Sequence, residues 1–503
     1  MKNFTRRNFL KTAALSAAAL SLDARTWSRA AGANGDIRVA QIGFHGQGAS
    51  HISALRKMKG VRLVALCDVD HHVLDAKARD LGGDIQTYTD IRKLLENKDV
   101  DAVSIAVPNH WHALATVWAC QAGKDVYVEK PACHNIFEGQ KMIEAARKYG
   151  RIVQCGTQCR SSVGLQEAVQ YVRDGKLGKI VIARGFCYKA RKSIGLVDGP
   201  QKVPDYIDYD IWCGPAPVEP PRRNGSSGPV HYDWHWFWSY GNGDYGNQGP
   251  HQVDIARWFL GEDTIAPFSM AAGGRLGYKD SAETPNTLVV YHGYSTPMVF
   301  EVRGLPENKA SQASGWKMDH YRGVGVGNVI DCENGYVVVP SYTEAIIYDK
   351  AGKEVTRFDG KKKKEAAADI KTPTGLSAES GGHHANWIAA VRSRNLKQLN
   401  AEIREGVLSA GLVHTGNISY RLGATKRPGE IKEALQDNKY LAEAFDRMAG
   451  HLEANGVDLT QDEVRLGLPL KFDPKAERFP ENPAANMLVS RKYRAPFVVP
   501  EKV

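Results

Sequence analysis

The chain has 503 residues, 43% of them hydrophobic and 24% charged, with a formal net charge of +10 from 66 basic and 56 acidic side chains. That length exceeds one ordinary domain, and the composition excludes both a disordered chain and a membrane-embedded one. The charge excess is no nucleic-acid footprint either: Lys2, Arg6, Arg7, Lys11, Arg25 and Arg29 against Asp23 place +5 of the +10 in residues 1–33, and the one later basic run, residues 361–364, reads as a solvated loop.

In chain order, Thr5-Arg6-Arg7-Asn8-Phe9-Leu10-Lys11 comes first, followed by an Ala/Leu/Ser stretch over residues 12–22 and small residues at 31–33. A twin arginine ahead of a short apolar segment marks a Tat-type export signal. The competing readings are a basic tail or a membrane anchor, but the apolar stretch is only about half the roughly 20 residues a spanning helix needs. Residues 1–33 are therefore read as a signal, and the mature protein as periplasmic or otherwise exported, with no membrane span.

Residues 37–42 form a short apolar strand that ends in Gly43-Phe44-His45-Gly46-Gln47-Gly48. A helix follows from Ala49, then a second strand over residues 61–67 that closes on Asp68. Strand, glycine turn, helix, strand and acid is the order of a dinucleotide cradle: the glycines admit the pyrophosphate, the helix N-terminus stabilises its charge, and the acid accepts from the ribose. The register is irregular, because His45 stands where the middle glycine belongs. Asp68 repels a 2′-phosphate, so NAD is preferred over NADP. Further strands at 101–107, 125–129 and 151–155 alternate with helices at 73–81, 111–122 and 137–149, which argues a parallel, doubly wound sheet over residues 36–157. Ligands sit beyond the carboxyl ends of such strands. Those ends supply Pro108, Asn109, His112, Glu129, Lys130 and Gln158 as further cofactor-binding candidates.

From residue 179 the pattern turns β-rich, with strands at 179–189, 267–278, 287–291, 298–303, 325–332, 335–340 and 345–350. Strands without intervening helices argue an α+β domain over 158–427, built on a large open, mainly antiparallel sheet. Helices near 383–394 and 403–422 follow, and residues 428–503 hold another helix and a wrapping tail. The segment 231–240 is dense in aromatics; Trp234 and His235 are candidates to stack on a sugar ring, with core packing as the rival use for these rings. The Pro/Gly/Ser-rich stretch 214–229 is a loop that either borders the site or is mobile. The eight cysteines show no CxxC pair and no zinc spacing, so no metal is expected. Cys155 and Cys159 could bridge, though buried thiols are the simpler reading.

Ala106-Val107-Pro108-Asn109-His110-Trp111-His112, Val126-Tyr127-Val128-Glu129-Lys130-Pro131, Gly156-Thr157-Gln158-Cys159-Arg160 and Gly246-Asn247-Gln248-Gly249-Pro250-His251-Gln252-Val253-Asp254 together resemble the Gfo/Idh/MocA family of glucose–fructose oxidoreductase and inositol dehydrogenase, in a secreted subgroup. The resemblance implies a subunit interface on the second sheet, hence a homo-oligomer. It also implies that Lys130 lies by the nicotinamide and the reacting hydroxyl, and that His251 is the acid/base. Asn247 stands where many relatives have an aspartate. His251 is the first choice as general base and Lys130 as electrostatic positioner, with the roles exchangeable. Asp254, one turn on, is either the orienting partner of His251 or a plain helix residue. Arg160, Tyr188 and Lys189 are candidates for substrate hydroxyls.

The expected activity is oxidation of a secondary hydroxyl on a sugar, glycoside or polyol. An exported chain meets no free nicotinamide pool, so the cofactor is expected to stay bound and be recycled. The alternatives are an NAD-dependent glycosidase that oxidises C3 transiently and eliminates the aglycone, and a non-catalytic sugar- or dinucleotide-binding module.

Overall fold

The computed structural model describes residues 35–223, 228–360, 382–461 and 464–503; the proposed signal and the basic run 361–364 lie outside these. Six short strands, all but β3 largely apolar, make the first sheet: β1 (Ile37–Ile42), β2 (Val61–Cys67), β3 (Gln86–Tyr88), β4 (Ala102–Ile105), β5 (Asp125–Val128) and β6 (Val153–Cys155). They are all parallel, in the order β3-β2-β1-β4-β5-β6. β4, β5 and β6 are buried throughout, as strands covered on both faces must be. The crossovers are α1 (Gln47–Arg56), α2 (His71–Leu81), α3 (Ile91–Glu96), α4 (Asn109–Gln121) and α5 (Ile136–Lys148). Asp70 caps α2 by accepting the Val73 N–H, and Asn135 caps α5 by accepting that of Glu138. The strand order reverses between β1 and β4, which opens the ligand crevice at their carboxyl ends.

After α6 (Val163–Arg173), β7 (Ile180–Tyr188) opens the second, mixed sheet. α7 (Tyr209–Cys213), α8 (Gly243–Asn247) and α9 (Gly249–Leu260) precede β8 (Phe268–Gly274), β9 (Thr287–His292) and β10 (Met298–Arg303). α10 (Lys309–Ala313), β11 (Val326–Cys332), β12 (Gly335–Val339), β13 (Glu344–Asp349) and β14 (Glu354–Asp359) complete the domain's own strands. Among the described residues, only the β7–β10 pair in this sheet is parallel. Its inner face packs Ala183, Cys187, Val290 and Phe300 against α9 and α12 (Ile403–Leu422).

Two readings of the later chain are corrected. α11 (Gly382–Ser393), assigned with the second domain, covers the first sheet, where Trp387, Ile388 and Val391 pack on Val39, Ala102 and Tyr127. The C-terminal region carries two substantial helices, α13 (Pro428–Leu435) and α14 (Lys439–Ala454). Leu435, Leu441, Phe445 and Met448 cover Met270, Val289 and Val299 on the outer face of the second sheet. The face expected to meet another subunit is thus occupied there by the chain itself. The last residues return to the first domain, where Phe497 and Val499 join Trp111 in its core. All eight cysteines are free and all but Cys332 are buried, so Cys155 and Cys159 form no bridge. No helix among the described residues is long and apolar enough to cross a membrane.

Candidate active site

The glycine turn is shaped by steric need at two positions and left open at a third. Gly43 has φ +73°, and a Cβ there would lie 2.7 Å from the Ala106 carbonyl oxygen. A Cβ on Gly48 would sit 2.0 Å from the Gly43 oxygen, where α1 crosses the turn. At Gly46 a Cβ would meet nothing within 4 Å, so this face of the turn is open. His45, where the middle glycine is expected, is exposed, and its ring stacks on His231 at 4.1 Å. Gln47 begins α1, and a helix N-terminus leaves amide N–H groups free to donate to a pyrophosphate. Gly48→Ala is expected to abolish cofactor retention, measured as NAD released per chain on denaturation; retention at the wild-type level would contradict this steric account.

Asp68 closes β2 with Oδ2 accepting the Phe44 N–H at 3.1 Å and Oδ1 accepting the Asp70 N–H at 3.1 Å. Burial raises its carboxyl to about 6. The turn, the helix N-terminus and the acid fit an adenosine diphosphate half without a 2′-phosphate. Asp70 in turn accepts from His231 Nε2 at 2.8 Å, which draws the aromatic segment of the second domain over the rim of the cradle.

At the β5 end, Glu129 accepts from the Lys130 N–H at 3.1 Å and from Gln158 at 3.4 Å, and it meets His51 Nε2 at 3.2 Å. Burial opposes its charge, but His51 and Lys130 win and hold it down at about 2. His112 is wedged between the carbonyls of Pro131 at 2.6 Å and Val107 at 2.8 Å, so it braces two strand-end loops. Pro108 heads α4, and Asn109 Nδ2 donates to Asn242 Oδ1 at 3.3 Å, across the domain seam.

Lys130 donates from Nζ to the Asn247 carbonyl oxygen at 3.1 Å. Asn247 therefore serves through its backbone, which the missing aspartate does not alter. Burial, followed by the nearby Lys189 charge, lowers the Lys130 pKa. His251 lies in the first turn of α9, 4% exposed, with Nδ1 buried and unpartnered and its ring 4.7 Å from that of Tyr342. Burial, then the Lys130 charge, pushes it down to about 3, so it is a neutral imidazole beside an amine.

Three candidates have other partners. Asp254 accepts Arg160 bidentately at 2.7 and 2.9 Å and Ser409 at 2.7 Å, with Arg257 at 3.4 Å, so it does not orient His251. Arg160 is consumed by the same pair and is not available to substrate. Asp254→Ala, which leaves Glu405 as the only described carboxylate pairing with the Arg160 and Arg257 guanidiniums, is expected to destabilise the fold by about 1–3 kcal/mol in a urea titration; an unchanged midpoint would contradict this. Tyr188 donates to Glu301 Oε2 at 2.8 Å on the outer face of the sheet, opposite Cys187 and α9, as the two-residue period of a strand requires.

His235 stacks on Trp234 at 3.6 Å, and its Nδ1 lies 2.5 Å from the Tyr232 carbonyl oxygen. Burial and then the charges of Lys130, Arg191 and Lys189 push it down to about 3. Trp236, Phe237 and Tyr240 are core. The described part of loop 214–229 is tied down, with Arg223 buried against Trp212, Phe237 and Tyr240. The sequence reading missed His51 and Tyr342. His51 was legible as a polar residue on the apolar 48-52-55 face of α1; Tyr342, in the β12–β13 loop, carried no signal.

Fold and site define a two-domain protein with an NAD-binding Rossmann domain whose crevice is closed by a sheet-and-helix domain. The chain belongs to the Gfo/Idh/MocA oxidoreductase family: the family models for its NAD-binding Rossmann fold and its C-terminal alpha/beta domain match residues 37–157 and 170–327, together more than half of the chain. It is similar to inositol 2-dehydrogenase of Salmonella paratyphi B, 28% identical over 177 residues, 35% of this chain and 52% of the relative. It is also similar to a glycosyl hydrolase family 109 protein of Shewanella pealeana, 29% identical over 206 residues, 35% and 44% of the two chains. The chain spans about half the length of the curated relatives it matches. A crystal structure of the WlbA dehydrogenase from Bordetella pertussis in complex with NADH and UDP-GlcNAcA shares the fold, with TM-score 0.52 and 19% identity over 75% of this chain and 94% of that one.

Proposed function

We propose that this protein oxidises a secondary hydroxyl of a sugar, glycoside or polyol with a tightly held nicotinamide cofactor. The observation that carries the reading is the pairing of a buried amine, Lys130 Nζ on the Asn247 carbonyl, with a neutral His251 whose Nδ1 has no partner. NAD⁺, when bound, supplies the hydride acceptor. His251 takes the hydroxyl proton at its free ring nitrogen, and Lys130 holds the oxygen and stabilises the developing alkoxide. His235 and Trp234 border the substrate, and Lys189 adds positive charge at the mouth.

The Shewanella relative favours a second reading, redox-neutral glycoside cleavage by transient oxidation. An aryl glycoside added alone decides: aglycone release without an acceptor supports cleavage, whereas turnover only with a keto-sugar acceptor supports the recycling dehydrogenase. Failure of a sugar, polyol and glycoside panel to change the 340 nm absorbance of the loaded protein, or to yield product, would overturn both.

We also place the mature chain outside the cytoplasm, on the strength of the twin arginine, testable by blocking export with Arg6→Lys plus Arg7→Lys. Self-association through the second sheet is assigned to the β11–β13 wing, where Tyr336 stacks on Tyr348 at 4.9 Å beyond the β9 and β10 strands that α14 contacts.

A further inference from the structure

A cavity of about 260 Å³ opens beside the loop that follows Lys130 and Pro131, yet its lining shares no residue with the Lys130–His251 group. His134, Asn242, His414 and Asn417 form its buried floor, and Arg421 and Arg491 stand over it. The Arg421 guanidinium lies 5.0 Å above the Trp238 ring and makes no hydrogen bond or ion pair with a described residue. Arg491 donates from Nη1 to the Ser239 carbonyl at 2.9 Å and to His134 Nδ1 at 3.3 Å. No described carboxylate pairs with it. Glu138, the acid that acts on it most strongly, has its oxygens on the His134 N–H, the Asn135 amide and the Tyr493 hydroxyl.

Two floor atoms are orphaned. Because His134 Nδ1 accepts from Arg491, the ring proton sits on Nε2, which is buried without a partner. Asn417 gives its Nδ2–H to the Asn242 carbonyl at 3.0 Å and leaves Oδ1 buried and unpartnered. Buried polar atoms without partners are rare in folded proteins. Here a donor and an acceptor line the same cavity as two guanidiniums that no described carboxylate hydrogen-bonds.

Guanidinium forks and an imidazole N–H are the donor set of an oxyanion, and a free amide oxygen takes a hydroxyl. We propose that this cavity is a second ligand site, for a small oxyanion, carboxylate or phosphate, carried on a hydroxylated skeleton such as a sugar acid or sugar phosphate. Asn242 ties its floor to Asn109 at the β4 end, so a bound ligand braces the domain seam.

Calorimetric titration of the NAD-loaded protein in a zwitterionic buffer tests this with glucuronate, glucose 6-phosphate, inorganic phosphate and glucose. Saturable binding of glucuronate or glucose 6-phosphate is expected, at least about tenfold tighter than that of glucose or inorganic phosphate. The tighter of the two names the head group. Arg421→Gln should weaken it by about tenfold or more with NAD retention intact, and Lys130→Ala should leave it unchanged. Absence of saturable anion binding, glucose or phosphate binding as tightly, or an Arg421→Gln variant that binds like the wild type would each overturn the site. Loss of binding in Lys130→Ala would move the ligand to the catalytic crevice and overturn it equally.

Discussion

Lys130→Ala is expected to lower kcat/KM by about a thousandfold or more while leaving NAD retention at the wild-type level. The loss of one preorganised charge at the reacting oxygen is worth roughly 10²–10³ in rate, and removing the amine also unsettles the proton transfer beside it. The cradle is built from Gly43, Gly48 and Asp68, none of which touches the Lys130 side chain, so the two readouts separate. His251→Ala should cost about 10²–10⁴, and the double variant little more than the worse single one, because the two act on one oxygen. Full additivity would mean that they serve different steps, and unchanged turnover in either variant would remove the pair from the chemistry.

Acidification from pH 7 to pH 5 is expected to lower the melting temperature steeply. Burial holds His110, His251, His292 and His384 at about 3 and His383 and His414 at about 4. All lie below the roughly 6.5 of an unfolded histidine. The unfolded chain therefore binds more protons as pH falls below that value, and the stability these rings contribute above it is lost on the way to 3–4. Two carboxyls oppose this: Glu138, raised by burial to about 7, and Asp68, raised to about 6, keep protons that the unfolded chain lacks, and so favour the fold on acidification until the unfolded carboxyls titrate. With His235 also held at about 3, the depressed rings outnumber the two raised carboxyls and leave a net uptake of several protons on unfolding near pH 5, each worth about 1.4 kcal/mol per pH unit. For a chain of this size that is a fall on the order of 5 °C per pH unit. A flat melting temperature between pH 7 and 5 would contradict the buried, neutral state of these rings.

The first sheet was legible because each of its main strands is a short apolar run that closes on a glycine, proline or acid, and the alternation with helices leaves one topology. β3, three residues long, and α3, six, fell below the length at which periodicity speaks. The second sheet was legible strand by strand, but its cover was not. α13 and α14 show apolar faces in sequence, and nothing local tells whether such a face meets its own sheet or solvent; the same holds for α11, which returns to the first domain after a whole sheet has intervened. At the site, Lys130 was legible as a strand-end residue, and the roles of Lys130 and His251 came from the motifs shared with the family they resemble. Arg160 and Asp254 lie 94 residues apart, and only the folded chain brings them into one ion pair. Tyr188 was one residue out of phase: the strand period turns it to the outer face and leaves Lys189 toward the crevice.

The account rests on a nicotinamide dinucleotide held in the cradle between β1 and β4. Acid denaturation of the purified protein, followed by enzymatic assay of the supernatant, measures this directly. The account predicts about one NAD(H) per chain, with NADP(H) absent, or, for protein purified without cofactor, saturable binding of NAD(H) that Gly48→Ala abolishes. A supernatant free of dinucleotide, from a protein that also binds none on titration, would contradict it.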